Sequence, residues 1–308
     1  MRVFTDFDPS ADAQSAGDAA YTTERIRANL SGVATILAIA SARGGVGKSI
    51  IAVNMAASFA LKGRKVAILD ADLNSPSIPF MLGMKAPRHF PMIEGIEPAS
   101  GPHGLRVISS DIFPGGEPAP ITFLGDDGEL PEPVRPPLAE MSYNEALQRM
   151  LAQTRFGIVD LMIVDIASGL DRLHTIASMV PLDGVLLMSH PSGLDATAAR
   201  RALEVAKCKA PVLGIVENMV GFNCDGCRSV RPLFPEGNLS GVARENEVPI
   251  LARLGFEPRL ADSSDRGTLF IRDYATTPTG KALGDLFLRL ETILAARPRA
   301  AAPAVSSS

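Results

Sequence analysis

The stretch SARGGVGKSI, residues 41–50, follows the apolar run TILAIA and leads into residues of helical character. Gly44, Gly45 and Gly47 leave this backbone nearly free of side chains, so successive N–H groups can curl around an anion. The helix expected over residues 49–61 adds its positive N-terminal end. Lys48 supplies a point charge for β- and γ-phosphates, and Ser49 a hydroxyl for Mg²⁺. Gly44, Gly45, Val46, Gly47, Lys48 and Ser49 are therefore candidate nucleotide contacts. A strand–loop–helix unit of this kind commits the chain to a phosphate site at the carboxyl edge of a sheet.

The remaining sequence supplies that sheet. KVAILD, LRVISS (105–110), LMIVD (161–165), GVLLMS (184–189), PVLGIVENM (211–219) and PILARL (249–254) are short apolar runs. Helical stretches separate several of them, among them residues 143–154 and 194–207. Continuous apolar strands alternating with helices predict a doubly wound, mostly parallel α/β sheet covered on both faces. Residues 1–23 lack periodicity and are expected to form a flexible arm, 24–296 one nucleotide-binding domain, and 297–308 a disordered tail. The Pro/Gly-rich segments 85–104 and 113–138 interrupt the rhythm as surface excursions. Apolar residues at three- and four-residue spacing over 279–296 predict a helix packed on the core.

Two of these strands end in acid: Asp70 and Asp72 close the second, and Asp165 closes LMIVD. Carboxylates there fit metal–nucleotide chemistry, with Asp70 expected to close its strand end by hydrogen bonding. Cys224 and Cys227 form a separate pair in FNCDGC. Two thiolates are half of a tetrahedral metal site, so a metal, a redox couple and an incidental pair all stay open. Cys208 and the four histidines, His89, His103, His174 and His190, show no ligand spacing.

The form of the loop, a basic residue before GGxGK[ST], resembles the partition and septum-positioning ATPases. That resemblance implies that Arg43 stands where a second lysine crosses a dimer to reach the partner's phosphates. Arg keeps the charge and adds a fork geometry. DADLNSPSIPFMLG together with VLGIVENMVGFNCDGC resembles one branch, the Mrp/ApbC family of iron–sulfur cluster carrier ATPases. The likeness runs from about Glu24 to Leu286. It implies ATP and Mg²⁺ as cofactors, Asp72 orienting the attacking water, Ser49 and Asp165 holding Mg²⁺, and Asn218 bonding the adenine. It also implies a homodimer in which both CDGC loops meet, so that four thiolates carry a [4Fe–4S] cluster for apo-protein recipients. Zn²⁺ would suit the same sulfur set.

The departures from that family are as definite as the likeness. DxPPGTGD is replaced by DIASGLDR, CPxC by CDGC, and Ile50 stands where a second hydroxyl residue is common. SHPSGLD (189–195) replaces the family's TPQ-type segment. Weak turnover and a spatial-organisation ATPase acting on a membrane, DNA or a cell pole remain alternatives to an active carrier. A net charge of −4 without a Lys/Arg cluster argues against nucleic acid as partner. The N-terminus has no secretory pattern, and no apolar run approaches the ~18–20 residues that span a bilayer, which predicts a cytoplasmic protein without a membrane partner.

Overall fold

The computed structural model describes residues 22–84, 96–112, 143–223, 229–235 and 237–296. A first helix, α1 (22–30), leads into β1 (Ile36–Ala40), then α2 (Lys48–Leu61) and β2 (Val66–Ala71). The short α3 (Ile78–Met81) is followed by β3 (Ala99–Ser100), β4 (Arg106–Ile108) and α4 (Tyr143–Gln153). Next come β5 (Leu161–Ile166), α5 (Leu170–Met179), β6 (Gly184–Ser189), α6 (Gly193–Lys207) and β7 (Val212–Asn223). The described part ends with β8 (Val230–Arg231), α7 (Leu239–Glu245), β9 (Ile250–Phe256), α8 (Pro258–Asp265), α9 (Phe270–Asp273) and α10 (Pro278–Ala295).

The strands form one sheet in the order β3-β4-β2-β5-β1-β6-β7-β8, with β9 also paired to β7. Among the described strands, only β3 and β8 run antiparallel to their neighbours. β1, β2, β5 and β6 are buried along their whole length, which explains apolar runs without polar alternation. The period of two survives in which core each residue joins. Leu37, Ile39, Ile68 and Ile163 pack against α2, α9 and α10. Ala38, Ala67, Met162 and Val164 face the opposite layer of α1, α4 and α5.

α2 is apolar on nearly every side because it is enclosed between the sheet and α9–α10, with Met55 and Phe59 fully buried. Its one buried amide, Asn54, is satisfied at both ends. It donates to Ile50 O at 2.8 Å and accepts from Ile271 N at 2.9 Å, tying α2 to α9. α1 docks on the end of α4, where Asn29 Nδ2 donates to Leu151 O and Ala152 O at 3.0 and 2.8 Å. Carbonyls at a helix end that lack intrahelical partners thus gain donors.

The expected strands all form, with one extension that matters for function. The run read as 211–219 continues to Asn223, making β7 twelve residues long. Its last residues pair antiparallel with β8, Phe222 with Arg231 and Asn223 with Val230. Among the described residues, no helix is long and apolar enough to cross a membrane.

Candidate nucleotide site

Parallel register brings the acids together. Asp70 on β2 lies beside Asp165 on β5, and Asp165 is level with Ile39 on β1, just before the glycine loop. The loop itself is held from two sides. Ser41 O accepts from Gly169 N at 3.1 Å, and Val46 O accepts from Asn218 Nδ2 at 2.9 Å. Gly47 caps α2 with φ 90°, a left-handed conformation, and a Cβ there would lie 2.6 Å from the Asn218 amide nitrogen. The loop can take this path only because residue 47 has no side chain.

Lys48 is buried at the start of α2 and donates to Ser168 Oγ at 2.8 Å. Burial lowers its pKa, while the Asp165 and Asp72 carboxylates raise it. Asp165 is 1% exposed and neither carboxylate oxygen has a hydrogen-bond partner. Burial pushes it up to about 6, countered by the Ser49 hydroxyl and the Lys48 ammonium, with Asp72 adding to the rise. A buried carboxylate that has only the nearby Ser49 hydroxyl and Lys48 ammonium to offset its burial is an arrangement that a hydrated divalent cation completes. The residues fit Mg²⁺ with a bound triphosphate. Ser49 and Asp165 would hold the ion, which supplies charge neutralisation to the phosphates when bound.

Asp70 performs the structural task expected of it. Its Oδ2 accepts from Ser77 N at 3.0 Å, Ile78 N at 3.2 Å and Ser109 Oγ at 3.1 Å, which anchors α3. Complete burial and then the neighbouring Asp165 push its pKa up to about 8 against these donors. Asp72 is half-buried, with Oδ1 accepting from Ser75 N at 3.3 Å.

Arg43 is exposed, with its Nε 3.7 Å from Asp195 Oδ1. Asn218 Nδ2 donates to the loop and its Oδ1 accepts from Met219 N at 3.0 Å. Cys224 and Cys227 lie outside the described residues. No group of metal-binding side chains forms among the described residues, and Cys208 is exposed with a free thiol.

Three participants escaped the sequence reading. Ser168 is the partner of Lys48, and Asp195 and His190 form a corner next to Arg43, with His190 Nδ1 3.8 Å from Asp195 Oδ2. Burial lowers the His190 pKa, Asp195 raises it and Arg43 lowers it. A signal for this corner was present: Ser192 followed three residues later by Asp195 is a helix-start pattern. Ser192 Oγ accepts from Asp195 N at 3.1 Å and donates to the Asp195 carboxylate.

A family model described as ParA: NUBPL iron-transfer P-loop NTPase matches residues 32–290. The iron–sulfur cluster carrier protein of Saccharolobus solfataricus is 30% identical over 80% of this chain and 79% of its own. A cytosolic Fe–S cluster assembly factor NUBP2 homolog of Monosiga brevicollis is 32% identical over 85% of this chain and 89% of its own. Among solved structures, an Archaeoglobus fulgidus nucleotide-binding protein in complex with ADP superposes with a TM-score of 0.63 at 27% identity, covering 84% of this chain and 95% of its own. The cell division ATPase MinD of Pyrococcus furiosus shares the fold with a TM-score of 0.57 at 19% identity, over 84% of this chain and 99% of its own. With a glycine-rich loop between β1 and α2 and this match over most of its length, the chain belongs to the ParA-class, NUBPL-type iron-transfer P-loop NTPases, ATP hydrolases whose relatives are iron–sulfur cluster carriers and assembly factors.

Proposed function

We propose that this protein is an ATP-dependent carrier that holds a [4Fe–4S] cluster between two copies of itself and delivers it to apo-proteins. The cluster is cargo, ligated by Cys224 and Cys227 of each copy, and four thiolates complete its coordination. The loop N–H groups and Lys48 hold the phosphates, while Asp72, with one oxygen uncommitted, orients the attacking water. Arg43 leaves Asp195 to meet the phosphates of the second copy. Phosphoryl transfer rests on positioning and charge stabilisation, which these residues can supply without covalent chemistry.

The course of β7 supports the link between nucleotide and cargo most directly. Asn218 touches the phosphate loop, and the strand then continues to Asn223 before the cysteines. Five residues of strand span at most about 17 Å. β7 therefore ends, at Asn223, on the same sheet edge that binds nucleotide.

Anaerobic reconstitution with iron and sulfide tests the proposal. The expected product has broad visible absorbance, acid-labile sulfide and about one cluster per two chains. A Cys224→Ser variant that kept the full cluster would refute the ligand assignment. Tight zinc in place of iron, unmoved by reconstitution, would replace the cargo.

A further inference from the structure

We infer that the stacked pair His190–Phe234 couples the phosphate loop to the β7–β8 hairpin, with both residues positioning the hairpin in response to nucleotide. The inference rests on the carrier reading for its purpose, but not for its test.

The chain is tied to the nucleotide site within β7 and again after β8. On the upstream side Asn218 bonds Val46 O, and the next residue, Met219, has φ 59°. Left-handed backbone at a methionine is strained, and the β7–β9 register shifts between Asn218 and Phe222. Such an irregularity re-aims the strand beyond it. Downstream, β8 leads to Phe234, whose ring stacks on His190 with centroids 4.8 Å apart and planes 18° apart. Three residues on, Gly237 N donates to Pro191 O at 2.6 Å, and a side chain at 237 would collide with the Ser192 backbone.

His190 itself shares Asp195 with Arg43, at 3.8 and 3.7 Å. Whatever draws Arg43 off Asp195 changes the charge facing the imidazole and frees the ring to shift. Phe234 is the apolar surface that would register that shift, and it is joined to β8 by only two intervening residues. A ligand can move the hairpin only through differential contacts of this kind.

Hydrogen exchange of residues 219–223 and 229–235 is the test, compared with and without a non-hydrolysable ATP analogue and Mg²⁺. In the wild type, nucleotide should slow exchange in both strands by at least about threefold. Phe234→Leu should abolish that difference while retaining nucleotide protection at residues 44–50, and Phe234→Tyr should keep it. His190→Gln, which removes the ring from the other side, should match Phe234→Leu at the hairpin. A wild type without the difference would overturn the inference. So would either stack-breaking variant with the difference intact, or a Phe234→Leu protein that no longer protects 44–50. Exchange is read without cargo: failed reconstitution with intact coupling sinks the carrier reading alone, and full reconstitution with lost coupling in the wild type sinks this inference alone.

Discussion

Lys48 is an ammonium buried at a helix start with a serine hydroxyl as its hydrogen-bond partner and two carboxylates nearby. Those carboxylates oppose the lowering that burial imposes on its pKa. Lys48→Ala is expected to lower phosphate release by roughly 100-fold or more, as loss of a donor to developing charge does elsewhere. Release equal to wild type would remove Lys48 from the chemistry. Asp70 makes a different prediction, about stability. Its pKa rises from 3.8 in the unfolded chain to about 8 when folded. The folded state thus holds a proton that the unfolded state releases, so this contribution is full below 3.8 and is lost as pH rises toward 8. Asp165 acts with the same sign up to about 6, and His190, held below its ordinary 6.5, acts with the opposite sign only below that value. Between pH 6.5 and 8, without metal or nucleotide, the melting temperature of the wild type should therefore fall relative to that of Asp70→Asn, a comparison that cancels the opposite contribution of Lys48, whose pKa burial lowers. A wild type that rises relative to Asp70→Asn over this interval contradicts the buried, protonated Asp70.

Among elements, the phosphate loop was legible because its residues are contiguous and each does one chemical job. Ser168, His190 and Asp195 were not, because strand order brings them to the loop from 120 or more residues away. Strand β7 runs past its sequence-predicted end for a local reason: Glu217 and Asn218 interrupt the apolar run, and the strand continues beyond the left-handed Met219. The contact of Asn218 with Val46 is not written in the sequence, because it depends on how closely β7 approaches the loop. That approach is what Gly47 permits. Gly47→Ala should cost about 1–3 kcal/mol from left-handed strain and displacement of the Asn218 amide. At 1.4 kcal/mol per decade, MgATP affinity should drop about tenfold in calorimetry. Unchanged affinity would mean that the loop's shape at residue 47 is not needed for binding.

For the whole molecule, the doubly wound sheet follows from strands buried on both faces, and its order places β1, β2 and β5 around one phosphate loop. The fold is shared with MinD, so it does not by itself distinguish a carrier from a spatial organiser. The distinction lies in Cys224 and Cys227, six and nine residues beyond the asparagine that touches the loop. Anaerobic native mass spectrometry of the reconstituted protein weighs chains and inorganic cargo together. The mass expected is that of two chains with one [4Fe–4S] cluster, reverting to cluster-free protein in Cys224→Ser and Cys227→Ser. A cluster riding on a single chain, or a doubly cysteine-substituted protein that still carries it, would contradict the account.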